Sequence, residues 1–450
     1  MTVCAITPND ADVLDISDSR SIQNAVNKAK SSGLNRVLIP RMNARTKCCR
    51  WDIDQAIILP SDIQIVLDNC YLRQADGCFD NVFRNSGEEN ALDHTLDSEM
   101  HDIHIIGIGN AVIDGGEPNG LTESTCQEMG LSMRKNNMIL LYNVRNFSIQ
   151  HLTFKNQRWW AVNLYFAEQG ILRDLYVEAR STVPNQDGID LRVGCHDIVI
   201  ENIRGQAGDD LIALSALNKR VPQSPRAMQF PYYVDGKDSD IHDVIIHNVI
   251  GTSISCAIIA IRNTDSAKIY NITIDNIFDT QNGNAPTLKP DAPFYLRQDN
   301  KKIDGFISPY AVIRIGQGDY YKWRNNELGE IYGITATNIH AKHNAAIMIN
   351  RSLDKSYFGN IYAENTVDNI VTTKSDWLHQ VFGADIRDTV FENIFFQCTD
   401  NQNAIAFELI EKGHQHTLEN VIIRNTFVGN CPRLIQKDIA GTVICNEVEL

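Results

Sequence analysis

Two acidic turns in the middle of the chain carry residue types that could do chemistry. Asp187 lies in the turn Asn-Gln-Asp-Gly, and 22 residues later Asp209 and Asp210 lie in the turn Gly-Asp-Asp. Each turn flanks a short apolar, β-branched run that is typical of a strand. If 22 residues make one coil in a stack of strands, the turns become neighbours at a strand separation of about 4.8 Å. The spacing therefore predicts that three carboxylates gather in one site.

Carboxylates gathered in this way repel one another, and one of them is pushed to hold a proton at neutral pH. One protonated acid beside one ionised base is the arrangement that cleaves glycosidic bonds. Aspartate is also an ordinary turn residue, so one such turn by itself indicates little. Two turns placed one coil apart in a repeat protein favour the chemical interpretation. We expect both turns to be exposed.

A loose repeat surrounds these turns from about residue 100. Short segments with a β-branched residue, a polar residue, Asn and then Ile or Val recur along the chain. Asn338 and Asn360 are 22 residues apart, and Asn393 and Asn420 are 27 apart. Units this small cannot bury an apolar face alone, so they stack. The pattern predicts an all-β fold, a parallel β-solenoid in which the asparagines form a ladder.

The ends and interruptions of the repeat suggest how the chain is divided. Residues 1–50 are expected to form a cap with a short amphipathic helix at 18–30, begun by Asp18 or Ser19, and residues 51–450 the solenoid domain. Several stretches interrupt the repeat and are expected to leave the stack as loops that wall a cleft. They are residues 76–100, 114–137, 216–241, 279–310 and 316–328.

Composition narrows the partners and the compartment. The formal charge is −15, from 41 basic and 56 acidic residues, which argues against nucleic acid and anionic membranes as partners. The 11 cysteines form no paired metal-ligand motif, so mainly reduced thiols are expected, and no metal or cofactor. The first residues lack the pattern of a signal peptide. This predicts a cytoplasmic protein, although a trimmed secreted chain would look the same. The oligomeric state stays open.

Five segments together resemble the polygalacturonase-type enzymes of glycoside hydrolase family 28. They are the helix start at 18–25, the strand at 103–115 that ends in Ile-Asp-Gly, the segment at 154–165, and the turns at 185–188 and 208–210. The resemblance implies a single-stranded right-handed parallel β-helix with an N-terminal helical cap. It also implies a carbohydrate substrate.

The resemblance also implies roles for the three acids. Asp209 would be the general acid that protonates the leaving oxygen. Asp187 and Asp210 would hold and deprotonate the attacking water. Together they would cleave the glycan with inversion at the anomeric carbon.

Two motifs of that family are altered here. Where the family has Gly-His-Gly, this chain has Ser255-Cys256-Ala257, and where it has Arg-Ile-Lys, this chain has Arg314 and Ile315 followed by glycine. Arg262 is an alternative for the arginine. In the family the Arg and Lys bind a sugar carboxylate. Their partial loss points to a neutral or mixed, pectin-like glycan and away from plain polygalacturonate.

Five residues are candidates for substrate binding. Asn185 and Arg314 come from the family motifs, although a surface arginine used for solubility is an equal alternative. Trp159 and Trp160 could form a platform on which a sugar stacks, but aromatic side chains are mainly buried, and core packing is the other interpretation. Tyr320 follows Arg314 in a stretch that could wall the cleft or form an interface.

Two other classes of protein fit parts of the pattern. A polysaccharide lyase on the same architecture would need calcium bound by the acids and a basic residue as proton acceptor. A binding or structural solenoid would turn over no glycan. The contexts of the aspartates match the hydrolase better.

Overall fold

The structure, a computed structural model, describes residues 5–86, 98–121, 123–179, 185–217, 234–254, 256–264, 266–281, 311–316, 327–342, 345–364, 367–375, 381–397, 404–413, 415–430 and 433–449. The chain forms one helix of four turns near its start and then strands that pair almost entirely in parallel. Each strand pairs with strands from the preceding and following coils. This confirms the predicted parallel β-helix with a helical cap.

The helices and the strands of the first half are these, in chain order. The helices are α1 (Asp18–Ser31), α2 (Glu123–Glu128) and a 3₁₀ helix (Met133–Asn136). The strands are β1 (Arg36–Pro40), β2 (Trp51–Ile53), β3 (Ile57–Leu59), β4 (Ile63–Asp68), β5 (Tyr71–Gln74), β6 (Phe83–Asn85), β7 (Met100–Ile108), β8 (Val112–Asp114), β9 (Ile139–Gln150), β10 (Thr153–Lys155), β11 (Val162–Glu178), β12 (Ile189–Leu191), β13 (His196–Ala207) and β14 (Ile212–Leu217).

The strands of the second half continue the same stack. They are β15 (Ile241–Ser253), β16 (Ile259–Thr264), β17 (Ile269–Asp279), β18 (Ala311–Ile315), β19 (Ile331–Ala341), β20 (Ala345–Ile349), β21 (Arg351–Asp354), β22 (Tyr357–Ala363), β23 (Asn369–Thr372), β24 (Lys374–Ser375), β25 (Val381–Phe382), β26 (Ala384–Gln397), β27 (Ile405–Leu409), β28 (Thr417–Gly429), β29 (Arg433–Lys437) and β30 (Ala440–Glu449). Only β24 and β25 pair antiparallel among the described strands.

Two long ladders of strands run the length of the stack. The long-strand ladder links β1, β4, β7, β9, β11, β13, β15, β17, β19, β22, β26, β28 and β30. The second, which we call the site ladder, links β3, β6, β9, β11, β12, β14, β16, β18, β20, β23, β27 and β29. Inward side chains of both ladders form one continuous apolar core.

The cap helix closes the first coil of this core. Ile22, Ala25, Val26 and Ala29 lie on one buried face of α1, as their spacing predicted. The helix is capped by Ser17, whose side chain accepts a hydrogen bond from the backbone of Arg20 at 3.3 Å, and not by Asp18 or Ser19. The strand stack also begins before residue 51, because β1 already pairs with β4.

The predicted ladder of asparagines is present. Asn248 donates from Nδ2 to Oδ1 of Asn202 (3.1 Å), Asn360 to Asn338 (3.1 Å) and Asn393 to Asn360 (3.0 Å). These five residues have φ between 55° and 57°, in the left-handed region that Asn tolerates better than most residues. Each asparagine therefore turns the backbone of one coil and bonds to the next.

The repeat length expected from the sequence is wrong in detail. Paired ladder asparagines are separated by 46 residues (Asn202 and Asn248), 22 (Asn338 and Asn360) and 33 (Asn360 and Asn393). Asn420 belongs to another row, where it donates to Asp388 at 2.8 Å. The number of residues between paired strands therefore differs from coil to coil.

No helix in the described ranges is long and apolar enough to cross a membrane. The cysteines that the structure describes, among them Cys70, Cys195 and Cys256, are free thiols.

Asn338 is a position at which the contribution of the ladder to stability can be measured. Its side chain donates to Asp275 (2.7 Å) and accepts from Asn360. Asn338→Ala should lower the free energy of unfolding by about 1–2 kcal/mol, because it loses amide bonds and strains a left-handed residue. Asn338→Gly also loses these hydrogen bonds, but glycine adopts the left-handed backbone without strain. It should therefore lower the free energy of unfolding by less. Urea unfolding measures both, and an alanine variant as stable as the wild type would contradict the ladder's role.

Candidate active site

The two acidic turns stack on neighbouring coils at the start of the site ladder's strands. The backbone N–H of Gly188 donates to the carbonyl of Asp210 at 3.0 Å, and that of Leu211 to the carbonyl of Ala257 at 3.1 Å. Ile189 then pairs in register with Ile212. Because the residues before both strands are held by these bonds, Asp187 and Asp210 lie one above the other. The predicted stacking of the turns is present in the structure.

Glutamine at position 186 contributes to this arrangement. Gln186 donates from Nε2 to the carbonyl of Gln157 at 2.7 Å, and Gln157 donates back to the carbonyls of Gln186 (3.2 Å) and Asp187 (3.1 Å). The carbonyl of Gln186 also accepts from the backbone of Gly208 at 3.0 Å. The two amides fix the first acidic turn between the coils on either side.

The acids are buried, which corrects the expectation of exposed turns. Asp187 is 1% exposed, Asp209 8% and Asp210 0%. A carboxylate oxygen of Asp209, one of Asp210 and Sγ of Cys256 lie within 4.8 Å of one another, a grouping that can hold a metal ion. In this structure a positive charge is already present there, because Arg262 lies beside Asp210.

A fourth carboxylate belongs to the cluster and was missed from the sequence. Asp190 lies in β12 between Ile189 and Leu191, which point into the core, so its side chain points to the opposite face. It is fully buried and neither carboxylate oxygen has a hydrogen-bond partner. A single acidic residue inside an apolar strand pattern was the signal that could have revealed it.

Burial and mutual repulsion change the protonation of the cluster. Burial, followed by the charge of Asp210, raises the pKa of Asp209 to about 6. Burial, followed by the charges of Asp190, Asp209 and Asp210, raises the pKa of Asp187 well above its usual value. The pKa of Asp190 is also raised well above its usual value, mainly by burial. The site therefore favours holding protons at a pH where free aspartates have lost them.

Two arginines face the cluster from the following coils. Arg262 of β16 places Nη2 3.3 Å from Oδ2 of Asp210 and donates from Nε to Oγ of Ser215 at 2.8 Å. Arg314 of β18 lies near enough for its charge to lower the pKa of Asp209. The sequence treated Arg262 and Arg314 as alternatives for one role, but the structure brings both to the site.

The absence of lysine after Ile315 has a backbone cause. Gly316 has φ of +87°, and a Cβ atom there would lie 1.8 Å from the carbonyl oxygen of Asn350. No side chain fits without moving the neighbouring coil. The second cation of the family motif is therefore excluded at this position by the backbone.

Cys256 stands where the family resemblance places histidine. Its backbone N–H donates to Oγ of Ser253 at 2.8 Å, and that hydroxyl donates to the carbonyl of Asp209 at 2.7 Å. Burial and the charges of Asp209 and Asp210 raise the pKa of the Cys256 thiol well above its usual value. The neutral thiol supplies no positive charge to the acids. Its neighbour Ser255 lies outside the described residues.

A sequence model of the glycosyl hydrolases family 28 matches residues 80–224, a stretch that contains all four aspartates. No curated protein matches the chain by sequence. The chain is a family-28-like parallel β-helix protein. The match covers less than half of the chain, so the activity of the family comes to this protein only as a proposal.

Solved structures with the same fold belong to proteins of different kinds. A polygalacturonase from Erwinia carotovora superposes with a TM-score of 0.52 at 12% identity, over 95% of this chain and 94% of its own. A tailspike protein of an E. coli bacteriophage, in complex with a hexasaccharide, gives 0.55 at 12% identity, over 98% and 78%. The A-module of a mannuronan C-5 epimerase from Azotobacter vinelandii gives 0.52 at 9% identity, over 99% of each chain. At these identities the similarity shows the fold alone.

The two tryptophans of this family-28-like chain do not form a sugar platform in the structure. Trp159 is 1% exposed and Trp160 2%, and both pack in a side cluster with Cys126 and Met133. The guanidinium of Arg192 lies 4.9 Å from the centre of the Trp160 ring. The stacking prediction is wrong for both residues, because neither ring presents a face to solvent. They support the loop at 114–137 instead.

The remaining predicted binding residues are placed as follows. Asn185 is half-buried at the start of the acidic turn, with φ of 56°. Arg314 is buried and faces the acids. Tyr320 lies outside the described residues. The structure therefore keeps Asn185 and Arg314 as candidates, and a role for each in binding stays a prediction.

We predict that the buried charge of Asp190 destabilises the fold at alkaline pH. Because its pKa is higher in the folded chain than in the unfolded chain, its stabilising contribution is present in acid and is lost as pH rises from about 4. Asp190→Asn should raise the apparent Tm at pH 8, on the scale of about 2–4 °C per kcal/mol relieved in large domains. The gain should shrink towards pH 4.

Thermal scans across pH measure this effect, and Asp54→Asn is the matched control because Asp54 is an exposed aspartate. The control should leave the pH dependence of Tm unchanged. An Asp190→Asn variant less stable than the wild type at pH 8 would contradict the electrostatic account.

Proposed function

We propose that the protein is a glycoside hydrolase that cleaves a pectin-type glycan by general acid and base catalysis with inversion. The observation that carries this proposal is the stacking of the acidic turns, which brings Asp187, Asp209 and Asp210 into one buried cluster. The family match over residues 80–224 supports the same class of reaction. The fold itself does not decide the activity, because an epimerase module and a phage tailspike share it.

Asp209 is the proposed general acid. Its pKa of about 6 leaves a useful fraction protonated near neutral pH, and its usual value would not. It is also the most exposed of the four aspartates, so the leaving oxygen of a bound sugar has its best access to a proton here. The proton passes from Asp209 to that oxygen as the glycosidic bond breaks.

Asp210 and Asp187 are proposed to hold the attacking water, and an ionised carboxylate of this pair deprotonates it. Oδ1 of Asp210 accepts the backbone N–H of Ala257 at 3.0 Å, which fixes the orientation of its carboxylate. Inverting enzymes separate acid and base by about 6.5–9.5 Å so that the water fits between the base and the sugar. Asp187 and Asp209, on successive coils about 4.8 Å apart with diverging side chains, suit this requirement. Asp209 and Asp210 are neighbours in the chain, and a carboxylate oxygen of each lies within 4.8 Å of the other.

The proposed substrate is a neutral or mixed glycan. Gly316 removes one of the two cations that would pair with a uronate carboxylate, and Arg262 is engaged by Asp210 and Ser215. Losing one charge-assisted partner costs about 1.5–3 kcal/mol of binding. The net charge of −15 adds repulsion of a polyanion at low salt. Arg314 still allows a carboxylate at one position of the glycan.

We predict that Asp209→Asn lowers kcat by about 10²-fold or more, the usual contribution of a general acid. In the wild type the rate should fall tenfold per pH unit above about pH 6, since only protonated Asp209 donates. The variant should lose this alkaline limb. Reducing-end release measures turnover, and circular dichroism checks folding. A variant with full activity would remove Asp209 from the mechanism.

We predict that polygalacturonate is cleaved far more slowly than the best neutral or mixed glycan in a panel, by about 10-fold or more. Fresh products should carry the inverted anomeric configuration. Proton NMR during the first turnovers distinguishes the two anomers. Efficient cleavage of polygalacturonate contradicts the substrate class, and retained configuration contradicts the mechanism.

A further inference from the structure

Arg262 lies in strand β16 of the site ladder. It contacts strand β14 and the acidic turn that precedes β14. It lies in β16 in register with Ser215 of β14, and its Nε donates to that hydroxyl at 2.8 Å. Its Nη2 then lies 3.3 Å from Oδ2 of Asp210. The other oxygen of Asp210 accepts the backbone N–H of Ala257 at 3.0 Å. Oδ1 of Asp210 is thereby held by a hydrogen bond, whereas Oδ2 has only the ion pair with Arg262 and no hydrogen bond.

Small side chains lie on the same face of the strands. Ala213 and Ala260, paired in register, form a small buried cluster with Ala257. Asp190 lies beside Ala213 in the row, and Arg314 lies beside Ala260 at the other end. The row therefore runs from an acid, across two alanines, to an arginine. The alanine side chains are small, so they leave room on this face for the long side chain of Arg262.

The charges that surround Asp210 are unbalanced without Arg262. Asp187 stacks on it from the preceding coil, Asp190 follows in β12, and Asp209 is its neighbour in the chain. Cys256 contributes a neutral thiol from the next coil, and Arg314 acts on Asp209 from the coil beyond. The guanidinium of Arg262 lowers the pKa of Asp187, Asp190 and Asp209. One side chain thus opposes the repulsion throughout the cluster.

We propose that Arg262 is the positioning residue that orients the carboxylate of Asp210 within the acidic cluster. The inference rests on the proposed function, since it is in hydrolysis that Asp210 acts as a base. It also gives a reason why the chain works with Cys256 in place of histidine: the positive support for the acids comes from β16. Arg314 then remains as the arginine that binds the substrate.

The kinetic test compares Arg262→Gln with Arg262→Lys. Without the guanidinium the Asp210 carboxylate loses the side chain that orients it, so kcat of Arg262→Gln should fall by about 10-fold or more while KM changes little. Lysine should restore part of kcat but not all of it, because it supplies a positive charge without the two-pronged geometry of arginine. Arg204→Gln, at an exposed arginine, is the control. An unchanged kcat in Arg262→Gln, or a loss of kcat that lysine does not partly restore, would overturn the proposal.

A second test needs no substrate. Arg262→Gln should lower the apparent Tm at pH 7 in the wild-type chain, because it leaves the Asp210 carboxylate buried without its partner. In the Asp210→Asn background the same substitution should lower Tm much less. Equal lowering in both backgrounds would overturn the contact between the two side chains.

The two tests separate the two proposals. Coupling between Arg262 and Asp210 without turnover of any glycan would overturn the hydrolase and leave the contact supported. Turnover with no coupling would overturn the role of Arg262 and leave the hydrolase supported.

Discussion

Parallel pairing in register is the constraint on which the rest of the structure depends. Each strand of the site ladder bonds to the strand one coil before it and the strand one coil after it. A residue just before one strand is therefore fixed beside the residue just before the next. Asp187 and Asp210 meet in this way although many residues separate them in the chain. The cluster is a consequence of backbone hydrogen bonds, and no acid has to find its neighbour through side-chain contacts.

The same constraint creates an electrostatic problem that the fold has to absorb. Backbone pairing holds four carboxylates at buried positions from which they cannot turn away to water. Burying several charges of the same sign away from water is costly. The cost is lowered because the site retains protons and because arginines from later coils face the acids. The continuous apolar core supplies the stability that tolerates this strain. The same buried carboxylates therefore account for both the proposed reactivity of the site and its electrostatic cost.

The sequence predicted what depends on local pattern and on coil spacing. The cap helix, the asparagine ladder and the meeting of the acidic turns all follow from periodicity and turn chemistry, and the structure contains each of them. The predictions that failed concern which face of the structure a residue occupies. The burial of Trp159 and Trp160 is set by packing against the loop at 114–137, which no local pattern encodes.

Two residues of the site show the same limit. Asp190 sits in an apolar run whose inward and outward positions become clear only when the strand is paired. Arg262 reaches Asp210 across 52 positions of the chain, and Ala257 bonds to Asp210 across 47. Distances of this kind are set by loop length, and the sequence gives no measure of where a loop returns.

The asparagine ladder separates the geometry of a coil from the amount of chain that the coil contains. Paired asparagines lie between 22 and 46 residues apart, yet each bond joins neighbouring coils with nearly the same geometry. Insertions and deletions between strands are therefore neutral to the scaffold, provided that the chain returns to its asparagine. In evolution this allows the segments around a cleft to be exchanged while the acids stay in place. A designer could graft new specificity segments onto this protein by the same rule.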